Sequence, residues 1–185
     1  TSLAAALLLH SVESGTRAAY YKPFSTNPRE DPDVALITQS LFDASPSPQV
    51  PSSHPFPPST EAAQFLASPA ASEVQQTVTR LREQCDLVLL ESPDLATSET
   101  QPSLLPLQLS SLIDPKVLLL FRFTRELKAT DVQQAAEPFT DRLAGVLING
   151  VTAYRKGELD QTTAAALEPQ GIPFLGTLGE TRSMF

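Results

Sequence analysis

The sequence predicts an α/β protein with three layers, in which a mostly parallel sheet carries helices on both faces. Three stretches support this prediction: the runs at 86–91, 117–123 and 145–149 are almost continuously apolar. Continuous hydrophobicity is typical of parallel strands buried on both faces, whereas strands with one solvated face alternate. Helical patterns separate the runs, as the crossovers between parallel strands require.

The first half of the chain opens with a predicted helix, because Leu3 and Leu7, and likewise Ala4, Leu8 and Val12, recur at helical spacing. Further along, the sequence predicts a strand at 16–21, a helix at 34–42, an extended proline-rich surface loop at 44–58, a short helix at 60–66 and a longer helix at 70–84.

The second half alternates in the same way. After the strand at 86–91 we expect a polar loop at 92–102, a helix at 104–113, a strand at 117–123, a helix at 131–143 that contains Pro138, a strand at 145–149, a helix at 159–167 and a last strand at 172–176.

Composition limits the function. The chain of 185 residues is long enough for one domain with a real core, and its formal charge is -8. Nucleic acid is excluded as a partner because the sequence shows no clustered Lys and Arg. A small phosphorylated ligand remains compatible, since backbone N–H groups and one or two lysines suffice to bind it.

Cysteine content and hydropathy bear on location. Cys85 is the only cysteine, which excludes an internal disulfide and favours a reducing compartment; its spacing makes it a core residue rather than a nucleophile. No apolar run has the length of a membrane span, and the opening LAAALLLH is too short and lacks the basic flank of a signal sequence. We therefore expect a soluble, cytoplasmic protein with no membrane partner.

The opening residues fit one known phosphate-binding unit. A P-loop reads G-x-x-x-x-G-K-[ST], and its Ser or Thr is the first residue of the helix that follows. A chain that begins with Thr1 and Ser2 and continues directly into an apolar helix matches such a unit from just after its lysine. The expectation is a single domain over 1–185 whose N-terminal strand and phosphate loop are missing. An ordinary helix cap is the alternative interpretation.

Three charged residues stand where ligands bind in open α/β sheets, near the carboxyl ends of strands. Lys22 ends the first predicted strand, Glu91 ends the strand at 86–91, and Asp33 opens the helix that follows the first strand. A solvated lysine and a helix-start acid favoured by the macrodipole are the plain alternatives. The functional interpretation of the two acids is that they bind a metal ion.

Taken in order, several runs resemble one family: AAYYKPF, Asp33 with the three residues after it, DLVLLES, VLING and IPFLGTLGETR. They resemble the dethiobiotin synthetase-like P-loop domains, a group that includes the domain at the N-terminus of some long phosphate acetyltransferases. The resemblance covers essentially the whole chain. It implies a P-loop fold, with ATP and Mg²⁺ as cofactors.

The resemblance also implies residue roles. Thr1 corresponds to the hydroxyl residue that ligates Mg²⁺ after the P-loop lysine, and Ser2 lies beside it at the nucleotide. Asp33 and Glu91 correspond to the metal-binding acids, and Asn149 to the asparagine that contacts the base. A hard Mg²⁺ ion suits one hydroxyl, one or two carboxylates and phosphate oxygens.

Lys22 corresponds to the family's Lys-Pro lysine, which lies near the transferred phosphate and the acceptor, and it is the predicted catalytic residue. The chain departs from the family after Glu91, where Ser92 and Pro93 replace a glycine-rich turn, and Gly179-Glu180 stands where a Pro-Glu-Asp-Arg run is usual in the phosphate acetyltransferase type. Proline cannot adopt the positive φ of glycine and has no N–H to donate.

The leading hypothesis is therefore a nucleotide-binding P-loop domain that uses Mg-ATP in an ATP-dependent ligase-type or regulatory role. Two alternatives stay open. One is a non-catalytic interaction domain that kept the fold and lost the chemistry, and the other is a true dethiobiotin synthetase. The expected partner is a small-molecule nucleotide, and homodimerisation is left open.

Overall fold

The computed structural model describes residues 2–44, 49–57, 64–93 and 104–179. Its fold is α/β, with helices on both sides of parallel strands, and every described strand pairing is parallel. The predicted fold class is thus confirmed. The chain divides into two compact units, with the boundary between Ile113 and Asp114.

The first unit alternates helices and strands. Its elements are α1 (Ser2–Glu13), β1 (Ala18–Tyr21), β2 (Phe24–Ser25), α2 (Pro32–Ala44), β3 (His54–Pro55), a 3₁₀ turn (Phe65–Ala67), α3 (Pro69–Gln84), β4 (Leu87–Leu90) and α4 (Leu105–Ile113). β1 pairs with β4 and β2 pairs with β3.

Successive side chains of β1 pack into two different core clusters, one on each face of the strand. Ala19 and Tyr21 pack with buried residues of α3 and α4. Tyr20 faces the other way and packs with Leu8 of α1 and Ile37 of α2. Successive side chains of a strand point to opposite faces, so β1 is covered by helices on both. This explains why the run reads as continuously apolar.

The proline-rich segment is more ordered than the predicted surface loop. Gln49 forms a parallel bridge with Ala19, and its carbonyl oxygen accepts a hydrogen bond of 3.1 Å from the Tyr20 backbone N–H. β3 then pairs with β2, and the backbone N–H of His54 donates to the carbonyl oxygen of Pro23 at 2.7 Å. Prolines exclude a central strand but permit an edge strand, because only one side needs donors.

The second unit contains β5 (Val117–Arg122), α5 (Ala129–Ala136), β6 (Leu143–Val151), α6 (Ala153–Leu167) and β7 (Phe174–Gly179), with 3₁₀ turns at Glu137–Phe139 and Glu168–Gln170. The strand order is β5-β6-β7. Val146 and Ile148 of the central strand are buried, as are Val132 and Ala136 of α5.

The predicted helix at 131–143 is wrong at its carboxyl end. α5 stops at Ala136, Pro138 lies in the 3₁₀ turn, and Leu143 already belongs to β6. A proline inside an α-helix removes one hydrogen bond and clashes with the carbonyl four residues before it, which explains the early end. Conversely, α6 begins at Ala153, six residues before its predicted start.

Within the described ranges, no helix has both the length and the apolar character needed to cross a bilayer.

Candidate functional site

Lys22 and Glu91 leave the first sheet at the same edge. Tyr21, the last residue of β1, is in register with Leu90, the last residue of β4. The backbone N–H of Glu91 donates to the carbonyl oxygen of Tyr21 at 3.0 Å, which extends the pairing by one step. The carboxyl ends of parallel strands form the ligand edge of an open α/β sheet. The structure thus places both predicted site residues at this edge.

Lys22 is held between two carboxylates. Its Nζ lies 2.7 Å from Oδ2 of Asp33 and 3.0 Å from Oδ2 of Asp31. The lysine side chain is 18% exposed, that of Asp31 is 4% exposed and that of Asp33 is 36% exposed. Burial by itself lowers the pKa of Lys22, but the hydrogen bonds to Asp33 and Asp31 outweigh it and raise the pKa. The ammonium is therefore charged and fixed in position.

Asp31, which the sequence analysis did not single out, organises this cluster. Its Oδ1 accepts hydrogen bonds from the backbone N–H groups of Asp33 (2.9 Å) and Val34 (3.0 Å), so Asp31 caps α2. Its Oδ2 accepts a hydrogen bond from the Ser25 hydroxyl. Burial opposes ionisation, but the bonds from Ser25, from the Val34 backbone and from Lys22 lower the pKa of Asp31 to about 2.

The sequence did contain a signal for Asp31. It precedes Pro32, and an N-cap acid followed by proline at the first helical position marks a helix start. We expected the helix to open at Asp33, which instead lies within its first turn and is turned toward Lys22.

Tyr20 links the apolar core to Glu91. Its ring is fully buried, and its hydroxyl donates to Oε2 of Glu91 at 2.6 Å, a length typical of an O–H bond to a carboxylate. Burial, then the hydrogen bond to Glu91, and then the charges of Asp33 and Asp31 raise the pKa of Tyr20. Three carboxylates therefore act on one phenol. No local pattern in the sequence indicates this contact, because Tyr20 occupies an ordinary apolar position of its run.

The structure describes two of the three predicted metal ligands, Asp33 and Glu91. Thr1 lies outside the described residues, Asp33 contacts Lys22, and Glu91 accepts from Tyr20. The described ranges contain no group of three or more His, Cys, Asp or Glu residues that would hold a metal by themselves. Mg²⁺ needs fewer protein ligands, because it usually takes one or two carboxylates and completes its shell with water and phosphate oxygens. The part-exposed carboxylate of Asp33 fits that requirement.

Two further residues, Ser2 and Asn149, are predicted to contact the nucleotide. Ser2 is exposed and is the first residue of α1. Asn149 belongs to the second unit, near the carboxyl end of β6, where its side chain is exposed and its Oδ1 accepts a hydrogen bond of 2.8 Å from the backbone N–H of Gly150. Their roles stay predictions.

Comparison with known proteins identifies the class of protein to which this chain belongs. The chain is similar to a solved chain of the MinC:MinD cell division protein complex of Aquifex aeolicus, with a TM-score of 0.57 and 13% identity over 97% of this chain and 76% of that one. At this identity the similarity shows the fold alone. A family model described as AAA domain, a P-loop NTPase family, matches residues 1–184, and the chain belongs to that family. A search of curated protein sequences gave no match. Family membership and fold together support nucleotide binding.

Proposed function

We propose that this domain binds ATP with Mg²⁺ at the carboxyl edge of β1 and β4, and that it has an ATP-dependent ligase-type or regulatory role related to that of dethiobiotin synthetase. The observation that carries the proposal is the fixed ammonium of Lys22, in contact with Asp31 and Asp33 at the edge where Glu91 also lies.

The charge at this edge favours a cation-dependent ligand. Lys22 contributes one positive charge, whereas Asp31, Asp33 and Glu91 contribute three negative ones. A bare triphosphate would be repelled by this excess, and Mg²⁺ supplies the opposite charge when it accompanies the nucleotide. Phosphoryl transfer depends mainly on positioning and charge neutralisation, which a held lysine and oriented carboxylates provide.

Each residue has a defined task in this proposal. Asp31 and Ser25 hold the loop between β2 and α2, so that Lys22 presents its Nζ toward a phosphate or an acceptor carboxylate. Tyr20 orients Glu91, and Asp33 offers a part-exposed carboxylate to the metal. We assign Thr1 and Ser2 to the phosphates and metal, and Asn149 to the base, on the resemblance alone.

A non-catalytic interaction domain is the second candidate, and one observation favours it. Pro93 follows Glu91 by two residues, at a place where dethiobiotin synthetases have a glycine-rich turn. Because proline offers no N–H, the backbone there loses one donor toward a substrate. The same observation counts against a true dethiobiotin synthetase.

The test is a thermal and chemical unfolding series on the full-length protein with and without Mg-ATP. Ligand at a hundredfold excess over Kd stabilises a protein by about 2.7 kcal/mol. We expect this stabilisation in the wild type and its loss in Glu91→Gln. Asp86→Asn is the matched control, because that carboxylate pairs with Arg17 on the surface.

The alternatives give different results. No stabilisation by Mg-ATP, combined with self-association or capture of a protein partner, would replace the proposal with the interaction domain. Release of ADP that requires both diaminopelargonic acid and bicarbonate would establish the synthetase.

A further inference from the structure

The second unit contains a cavity at the amino ends of two of its strands. The cavity has a volume of about 350 Å³, and its lining includes Leu143, the first residue of β6, and Ile172, which precedes β7. Ligand pockets of proteins begin at about 300 Å³, so a small molecule fits here. All described residues that line the cavity belong to the second unit, and they lie at the opposite end of β6 from Asn149.

Two helices end at this cavity, and the same dipeptide follows each of them. α5 stops at Ala136 and α6 stops at Leu167, and a Glu-Pro pair follows each helix, at 137–138 and at 168–169. A proline has no N–H to donate to the carbonyl four residues before it. Each helix therefore lacks one intrahelical hydrogen bond in its last turn.

Both helix ends give the cavity a negative potential. The carboxyl end of a helix carries about half a negative elementary charge, because its last carbonyl groups have no donor within the helix. Gln134 and Glu137 line the cavity at the end of α5, and the carboxylate of Glu137 adds a full negative charge. Gln170 and Gly171 line it after α6. The two ends thus attract positive charge from two sides.

Few groups compensate this potential. No Lys or Arg lines the cavity in the part of the chain that the structure describes. Arg142, the nearest in sequence, binds Asp114, with its Nε 2.6 Å from Oδ1. One carbonyl oxygen of α6, that of Ala166, accepts a hydrogen bond of 3.3 Å from the side chain of Gln133, which joins the two helices beside the cavity. The described walls therefore present mainly acceptor oxygens and one full negative charge.

The chemistry of the walls selects an organic cation. An ammonium group has three N–H donors and no acceptor, so it suits a carboxylate, helix carbonyls and glutamine amide oxygens. Ala136, Leu143 and Ile172 make part of the lining apolar, and burial of methylene groups against such a surface is favourable. A hydrated metal ion would gain nothing from that surface. Two negative ends with apolar surface between them suit two ammonium groups joined by an alkyl chain.

We propose that this cavity binds an aliphatic diamine. One ammonium group lies at the end of α5 beside Glu137, and the other lies beside Gln170, in the turn that Glu168 begins. The alkyl chain between them packs on Leu143 and Ile172. The proposal concerns residues of the second unit and a cationic ligand, so it goes beyond the proposed function and does not depend on it.

The test is a titration of the full-length protein with diaminobutane, followed by nuclear magnetic resonance at constant ionic strength and without nucleotide. We expect the signals of the Gln134 and Gln170 side-chain amides and of the Gly171 backbone amide to shift with one common affinity. Butanediol has the same chain length but no charge, and it should not cause these shifts. Glu137→Gln should weaken diaminobutane binding by about fivefold, the size of one exposed ion pair.

Two further variants control for the overall charge of the protein. Glu158→Gln is the matched control, because it removes the same charge from an exposed acid in the amino-terminal half of α6, and it should leave the affinity unchanged. Gln170→Glu adds a carboxylate at the second end of the cavity and should strengthen binding by about fivefold. All three positions are exposed, so these substitutions leave the core intact.

Three results would overturn the assignment. The first is the absence of shifts at the cavity residues. The second is equal weakening by Glu137→Gln and Glu158→Gln, which would mean that diaminobutane is attracted to an acidic protein without a defined site. The third is an equal response to butanediol, which would mean that charge is not recognised. The Mg-ATP series tests the proposed function separately, and its failure would leave the cavity assignment standing.

Discussion

Replacing Asp31 with asparagine tests the charge network around Lys22. The side chain keeps one carbonyl oxygen, which still accepts the backbone N–H groups of Asp33 and Val34, so the cap of α2 survives. What is lost is the negative charge that faces Lys22 and Ser25. The pKa of Asp31 falls from 3.8 to about 2 in the folded state, and one pKa unit corresponds to about 1.4 kcal/mol. We therefore expect a loss of about 2 kcal/mol of unfolding free energy at neutral pH.

The lowered pKa of Asp31 also determines how this loss of stability changes with pH. Because the folded pKa of Asp31 is lowered, the contribution is fully present above the unfolded value of 3.8 and is lost as the pH falls toward about 2. Urea unfolding followed by circular dichroism should show wild type and Asp31→Asn converging over that range. Asp86→Asn, which removes a carboxylate from a surface pair with Arg17, should change stability little.

Two results would refute the reasoning on Asp31. One is a difference below about 0.5 kcal/mol at neutral pH, which would mean that the network adds nothing beyond an ordinary surface contact. The other is a difference of the expected size that persists unchanged at pH of about 2, which would assign the effect to packing instead of charge.

Three further predictions follow from single contacts. Tyr20→Phe removes the hydroxyl that donates to Glu91 and should lower the unfolding free energy by about 1–3 kcal/mol in urea unfolding; an unchanged midpoint would show that the bond adds nothing. Ser68→Ala removes the cap of α3, where the hydroxyl oxygen accepts the Ala71 N–H at 3.3 Å, and should cost about 1 kcal/mol, a loss that Ser68→Asp should avoid. Gly145→Ala would place a Cβ 2.5 Å from Cγ of Leu175, whose half-exposed side chain must shift, and should cost about 1 kcal/mol. Adding Leu175→Ala should recover most of that, and additive losses would contradict the clash.

Parallel pairing was predictable from the sequence, but burial on both faces was not uniform. The runs at β4, β5 and β6 are continuously apolar, and the structure pairs β4 with β1 and β5 with β6, both in parallel. Leu118 and Leu120 of β5 are exposed, so the expectation that this strand is buried on both faces was wrong. Lys22 and Glu91 were expected at the carboxyl ends of their strands, and they lie there because the register of β1 and β4 ends at Tyr21 and Leu90.

Contacts between residues distant in sequence were not predictable in the same way. Tyr20 and Glu91 are 71 positions apart, and no local pattern shows that the ring of one reaches the carboxylate of the other. Asp31 was missed for a different reason. The start of α2 was assigned to Asp33, which lies in the first turn, instead of to Asp31, which precedes Pro32.

The edge strand formed by the proline-rich segment has a consequence for colloidal behaviour. β3 pairs with β2 in a two-stranded sheet, and its residue Pro55, like Pro51 and Pro57 around it, offers no N–H to a further strand. An uncovered strand is a template on which other chains polymerise, and natural proteins interrupt it with proline. Removing these prolines should make the protein more prone to fibrous association without altering its fold.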